Sequence, residues 1–159
     1  MDGSSSRRRR LSLCWIILIS ASSYAQTNRT ITVRMLDSKT GQPITTSEIE
    51  IHARMSPASA EKAGISVYVR SNQDGVGEAT FPMAASDIRV YARDGVWGYV
   101  NCDCVKDRGS HQEHWYSLPG VSSSGVAAPN LCNKRKVIAR PGEFIFFVRS
   151  MTFWEKMRE

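Results

Sequence analysis

The residues best suited to chemistry lie in one stretch of the chain, SHQEHWYS, with cysteines before and after it. His111, Glu113 and His114 are common metal ligands, and Cys102 and Cys104 could add thiolates to the same site. The spacing does not fit, because the two histidines are three positions apart, not four as in a helical zinc-protease pair, and no Cys-x-x-Cys accompanies them. We therefore predict loop histidines without a metal or other cofactor. A small metal-dependent enzyme using the His111-His114 loop is the alternative.

Catalysis without a metal finds equally little support. Residues 120–125 contain consecutive serines, but the Gly-x-Ser-x-Gly motif of a nucleophilic serine is missing. Glu48 and Glu50 share the outward face of a predicted strand, where nothing apolar nearby would raise the pKa of either carboxyl for acid catalysis. We predict no catalytic residues, and keep a small hydrolase only as part of the same alternative.

The cysteines are better explained by a disulfide. Cys14 lies in an N-terminal stretch that export would remove, which leaves Cys102, Cys104 and Cys132. Cys-Asp-Cys in an extended strand places both sulfurs on one face, where Cys132 can meet only one of them. We predict a bond from Cys132 to Cys102 or Cys104, closing a loop of about 30 residues and contributing roughly 3 kcal/mol.

The N-terminus has the pattern of a secretory signal. Arg7 to Arg10 precede the apolar run LSLCWIILIS, and small residues follow up to Ala25. The apolar run is shorter than the roughly 20 residues that cross a bilayer, and no second run exists downstream. We expect cleavage near Ala25 and a secreted or periplasmic mature chain without a transmembrane segment.

Removing residues 1–25 also changes the charge balance. The segment contains four arginines and Asp2, so 21 basic and 15 acidic residues become 17 and 14, a net charge of +3. This modest charge argues against a nucleic-acid partner, and the run KRKVIAR lacks the interleaved aromatics of a nucleic-acid surface. We interpret that run as a basic edge strand. Residues 26–159 have the usual size of a single domain.

Period-two alternation dominates the rest of the chain and predicts an all-β sandwich of about seven strands. Two turns separate the clearest strands. Thr40, Gly41 and Pro43 form one, and Asp74 with Gly75 forms the other, because glycine tolerates positive φ and proline cannot donate to a ladder. The alternating segments are RTITVRML, SEIEIHARM, ISVYVR, GEATF, DIRVYAR and EFIFFVRS.

Several of these segments resemble a known family. The succession IxVRxxDxxTGQPI, SEIEI, NQDGVGEATFP and DIRVYARDGVWGY is similar to the carboxypeptidase regulatory-like module, most clearly over residues 29–99. The TGxPI turn stands at Thr40 to Ile44, and the Asp-Gly turn before a strand ending in Phe-Pro stands at Asp74 to Pro82. The resemblance implies a transthyretin-like (immunoglobulin-like, prealbumin-like) β-sandwich with an accessory, non-catalytic role.

The C-terminal part adds a structural hypothesis. In EFIFFVRS, Phe144 and Phe146 lie on one strand face and Ile145 and Phe147 on the other, so both faces need cover. We expect the tail MTFWEKMRE to form a short helix that places Trp154 over the second face. The competing interpretation leaves the tail aromatics exposed as an anchor for a partner.

The function predicted from these observations is a secreted, non-catalytic binding or accessory module of the cell envelope or extracellular space. An envelope protein or a carbohydrate is the kind of partner expected. Besides the enzyme alternative above, a structural subunit that pairs through its sheet edges is a third possibility.

Overall fold

The computed structural model describes residues 28–55, 64–93, 98–103 and 114–157. Within these ranges the chain forms nine β-strands and two short helices. In chain order the elements are β1 (Asn28–Asp37), β2 (Glu48–Met55), β3 (Ile65–Arg70), β4 (Val76–Pro82), β5 (Ala85–Arg93), β6 (Tyr99–Asn101), β7 (Tyr116–Ser117), α1 (Leu118–Ser124), β8 (Val126–Ala127), β9 (Glu143–Ser150) and α2 (Phe153–Lys156).

The strands form two sheets. The larger has the order β4-β1-β9-β6, with β8 also paired to β9, and the smaller has the order β3-β2-β5-β7. Neighbours in the smaller sheet are antiparallel, whereas β9 runs parallel to β1 and β8 and antiparallel to β6. The predicted all-β sandwich is therefore confirmed. It has nine strands instead of about seven, because β6, β7 and β8 are too short to produce an alternating pattern.

A shared core joins the two sheets. In β1 the side chains of Ile31, Val33 and Met35 are buried, and the residues between them are partly accessible. In β2 Ile49 and Ile51 occupy the equivalent inward positions, so alternate residues of each strand meet across the interior. Each fully buried aliphatic side chain contributes roughly 1.5–3 kcal/mol of transfer free energy, which makes this core the main source of stability.

Strand β9 is buried on both faces, as its sequence predicts. Phe144, Phe146 and Val148 belong to the core between the sheets. Ile145 and Phe147 point the other way and join a second apolar cluster on the outer face of the larger sheet. An apolar outer face requires cover from another part of the chain, and this cover forms the candidate site described below.

The C-terminal tail does not supply that cover, so the docking hypothesis is wrong. Phe153 and Trp154 in α2 remain 68% and 73% exposed, and no residue of the helix is buried. The second face of β9 is instead covered by the segment that contains Val137 and Ala139.

The Asp-Gly turn between β3 and β4 requires a glycine. Gly75 has a φ of +69°, and a Cβ at this position would lie 2.7 Å from the Cβ of Pro43. Asn72 organises the turn, because its Oδ1 accepts hydrogen bonds from the amides of Asp74 (2.8 Å) and Val76 (3.0 Å). The Asp74 side chain, at the position that the sequence pattern emphasises, is exposed.

The turn after β1 is held by the carboxylate of Asp37. Its Oδ1 accepts hydrogen bonds from the amides of Lys39 (3.0 Å) and Thr40 (2.7 Å) and from the Thr40 hydroxyl (2.8 Å). Burial raises the pKa of Asp37, but the hydrogen bonds from Thr40 and Lys39 outweigh it and lower the pKa overall. Gly41 completes the turn with a φ of +72°, and Pro43 forms an isolated bridge to Leu36.

Two local expectations are corrected. The predicted loop between the cysteines is partly helical, because residues 118–124, which include the serine-rich stretch, form α1 with Ser117 as its N-cap. KRKVIAR is not an edge strand: it has no regular secondary structure or ladder pairing, and Val137 and Ala139 pack against the outer face of the larger sheet. The predicted signal sequence, residues 1–25, and residues 56–63 lie outside the described ranges. None of the helices within those ranges is long and apolar enough to cross a membrane.

Candidate functional site

The metal ligands suggested by the sequence do not form a visible site. His114 is exposed, and its ring lies 6.5 Å from the ring of Tyr116. His111, Glu113 and Cys104 lie outside the described residues. Among the residues that the structure describes, no three histidine, cysteine, aspartate or glutamate side chains are grouped to hold a metal ion.

The serines of α1 are engaged with their own helix. The hydroxyl of Ser122 donates to the carbonyl of Leu118 (3.1 Å), and those of Ser123 and Ser124 donate to the carbonyl of Gly120 (3.3 and 3.0 Å). Such back-bonding is the ordinary behaviour of serine in a helix and does not create a nucleophile.

The outer face of the smaller sheet carries Glu50 between two tyrosines. Its Oε1 accepts a hydrogen bond from the Tyr68 hydroxyl and contacts His52 Nε2, both at 2.9 Å. Burial raises the pKa of Glu50, but the contacts with Tyr68 and His52 prevail and lower it. Glu50 is thus held as a carboxylate, which is the opposite of what a general acid needs.

Aromatic rings on this same face are covered by arginines. The guanidinium of Arg54 lies 3.6 Å from the Trp115 ring centroid, and that of Arg89 lies 4.1 Å from the Tyr91 centroid. Cation–π contacts of this kind stabilise an exposed sheet surface by about 0.5–1 kcal/mol each. Because the rings already have partners, this face does not present an open binding platform.

The more informative surface lies on the outer face of the larger sheet. Leu36, Cys102, Ile145 and Phe147 form the second apolar cluster there. Residues 128–140, called here the basic segment, cross over this cluster and pack against it together with Ala127 at the end of β8.

A disulfide and three hydrogen bonds fix the basic segment to the sandwich. The predicted disulfide is present, and it links Cys132 to Cys102 and not to Cys104. The amide of Leu131 donates to the carbonyl of Cys102 at 2.7 Å. Just before it in the chain, the Asn130 side chain donates to the Ser38 carbonyl at 2.9 Å, and the Ala128 amide donates to the Ile145 carbonyl at 2.8 Å. These contacts hold a long irregular stretch in one conformation.

The basic segment bends around a groove of about 560 Å³. Phe147, Val137 and Ala127 give the groove an apolar lining, and Phe147 and Ala127 belong to the paired strands β9 and β8. Lys134 and Lys136 also line it and are exposed to solvent. Apolar contact area and positive charge therefore meet in one concave surface.

Arg135 adds a third cation, and its side chain packs against the turn after β1. A Cβ at Gly41 would lie 2.7 Å from the Arg135 Cδ, so the absence of a side chain at position 41 leaves the space that Arg135 uses. The Asn130 amide group also contacts the Arg135 carbonyl at 3.4 Å. The TGxPI turn thus supports one wall of the groove, a role that its sequence pattern alone does not reveal.

Sequence reasoning noticed the residues of this groove without recognising the site. KRKVIAR was visible as a basic run, and Phe147 as an apolar residue on the second face of β9. The signal that could have joined them is Cys132, because its bond to Cys102 brings the run onto that face.

Comparisons with protein-family models, with curated proteins and with solved structures found no match to this chain. The groove is therefore interpreted from its own chemistry.

Proposed function

We propose that the mature chain is a secreted β-sandwich module that binds a ligand and has no catalytic activity of its own. The groove carries this proposal. Its volume of about 560 Å³ lies within the range of roughly 300–1,000 Å³ that is typical of small-molecule sites. Its lining combines apolar side chains with a few convergent polar groups, which is the usual composition of such sites.

The rigidity of the groove also supports a binding role. The disulfide and the hydrogen bonds of Asn130 and Leu131 fix the basic segment before any ligand arrives. A preformed site loses little conformational entropy on binding, which improves affinity. A surface segment that served only to cover the second apolar cluster would not need a concave shape.

Secretion is supported by two independent features. The arginine-rich and apolar N-terminus resembles an export signal, and the Cys102–Cys132 disulfide is compatible with an oxidising compartment. The resemblance of residues 29–99 to carboxypeptidase regulatory-like modules supports an accessory role, and the two-sheet architecture is compatible with that resemblance.

The proposal can be tested by titrating the protein with the neutral fluorescent probe N-phenyl-1-naphthylamine. We expect saturable binding, with NMR amide shift changes concentrated in residues 127–137 and at Phe147. The matched control is Tyr68→Ala on the outer face of the smaller sheet, which should leave binding unchanged. Absence of binding both of this probe and of an anionic probe with the same aromatic body, or shift changes centred on another surface, would contradict the proposal.

A structural subunit is the second candidate, and the exposed tail favours it. Phe153 and Trp154 pack edge to face, with ring centroids 5.7 Å apart, and Met157 is 69% exposed beside them. An apolar surface of this kind on a short helix is typical of a contact with another protein chain. Light scattering of the full chain and of a variant ending at Met151 would show whether the tail drives association.

A further inference from the structure

We infer that the groove binds a free amphiphilic organic anion, that is, a carboxylate or sulfonate head attached to an apolar body. This inference rests on the proposed function and specifies the ligand class of the same site. The argument uses the charge of the rim, the nature of the lining and the state of the nearby acidic residues.

The rim of the groove is cationic, and none of the described residues that line it is acidic. Lys134, Arg135 and Lys136 all line the groove, and Arg140 follows on the same segment. Among the described residues, none of these four side chains takes part in a salt bridge. Three adjacent cations without counter-charges repel one another, and a bound anion would relieve that repulsion.

Two acidic side chains next to the basic segment already have partners. Asp37 lies in the turn that Arg135 covers, and its Oδ1 accepts hydrogen bonds from Lys39 and Thr40. Glu143 pairs with Arg34 at 2.9 Å and accepts a hydrogen bond from the Arg140 amide at 3.0 Å. Both carboxylates are thus engaged by other groups, and a bound anion would give the exposed cations of the rim a counter-charge.

The apolar lining of the groove favours an organic anion over an inorganic one. Val137 and Ala127 are half-buried and offer apolar contact above the buried Phe147, and Leu131 at the edge is 53% exposed. An inorganic anion such as phosphate would leave this apolar surface in water, and a neutral apolar molecule would leave the cations without a partner. A ligand that joins an anionic head to an apolar body satisfies both parts of the groove.

Two fluorescent probes with the same aromatic body separate these possibilities. Anilinonaphthalene sulfonate carries the anionic head, and N-phenyl-1-naphthylamine lacks it. We expect the native protein to bind the sulfonate at least about tenfold more tightly, as the addition of charge-assisted hydrogen bonds predicts. Dodecanoate below its micelle concentration should displace the sulfonate from the groove.

Paired substitutions test the role of the cations. Lys134→Gln with Lys136→Gln should weaken sulfonate binding about tenfold and weaken binding of the neutral probe much less. The control, Arg70→Gln with Arg93→Gln, removes the same charge from the outer face of the smaller sheet. It should change neither the affinity for the sulfonate nor the affinity for the neutral probe. All four side chains are exposed, so the variants should fold, and equal melting temperatures would verify this.

The possible failures are distinguishable. Equal affinity for the two probes, with no effect of the lysine substitutions, would overturn the anionic ligand and leave the binding module intact. Binding of neither probe would overturn both proposals. If vesicles of phosphatidylglycerol displace the sulfonate and dodecanoate does not, the source is a membrane surface, and the inference of a free ligand is wrong.

Discussion

Cys102 is completely buried beside Phe147, whereas Cys132, to which it is bonded, is exposed. The disulfide therefore joins the second apolar cluster to the surface of the basic segment, across a sequence separation of 30 residues. One end of the bond belongs to the second apolar cluster and the other to the basic segment that borders the groove. This asymmetry predicts different effects for the two cysteines.

Cys132→Ser should lower the free energy of unfolding by roughly 3 kcal/mol, because it releases a closed loop in the unfolded chain. Cys102→Ser should cost about 1–3 kcal/mol more, because it also buries a hydroxyl in an apolar cluster. Urea unfolding of both variants and of the reduced native protein would measure the difference. Equal stability of the two serine variants would contradict the assignment of Cys102 to the buried cluster.

Gly75 and Gly142 form a natural pair for testing the Asp-Gly turn. Both have positive φ, +69° and +80°, but a Cβ at Gly75 would collide with Pro43 whereas one at Gly142 has nothing within 4 Å. Gly142→Ala should cost only the conformational penalty of about 1–2 kcal/mol. Gly75→Ala should lose the same conformational contribution and about 1–3 kcal/mol more, because its Cβ would overlap Pro43. Chemical denaturation gives both values, and similar losses in the two variants would argue against the contact with Pro43.

Most of the fold could be predicted because its strands are long and alternating. β1, β2 and β5 each have 8 to 10 residues with one buried face, and such a pattern is readable from the chain alone. The pairing order could not be predicted. The parallel contact of β1 with β9 joins residues more than a hundred positions apart, such as Val33 and Phe144, and no local pattern encodes it.

The groove was hidden from sequence reasoning for a different reason. The basic segment has no regular secondary structure, so its path depends on the disulfide, on the Asn130 side chain and on the space left at Gly41. Each of these is a contact between distant parts of the chain. Composition revealed the positive charge of the segment, and only the three-dimensional path revealed that the charge borders an apolar surface.

The ion pair between Arg149 and Glu155 predicts an unusual titration. The two guanidinium nitrogens contact the two carboxylate oxygens at 2.8 and 2.6 Å. This contact, with further hydrogen bonds from Thr152, holds the pKa of Glu155 well below its ordinary value of 4.5. The pKa of Glu155 is lower in the folded protein than in the unfolded chain. The ion pair therefore stabilises the fold fully at pH values above the unfolded pKa, and this stabilisation disappears as the pH falls through the folded pKa.

NMR titration of the Glu155 carboxyl carbon would test this prediction. In the native protein the carboxyl should remain ionised throughout the range in which an ordinary glutamate gains its proton. Arg149→Gln should return the pKa of Glu155 toward 4.5. Thr152→Ala should have a smaller effect, because the Thr152 amide still donates to Glu155. An ordinary titration in the native protein would show that the ion pair does not form in solution.

The tail provides the last prediction, which concerns what holds α2 in place. No side chain of α2 is buried, and the helix is fixed by its capping box and by the pair with Arg149. A partly exposed ion pair contributes at most about 1 kcal/mol to stability. Deleting residues 152–159 should therefore lower the free energy of unfolding by less than about 1 kcal/mol. The matched control is Phe147→Ala, which leaves a cavity in the second apolar cluster and should lower the free energy of unfolding by about 3–5 kcal/mol. A loss of comparable size on truncation would restore the hypothesis that Trp154 covers apolar surface, because only buried contact area can supply so large a contribution.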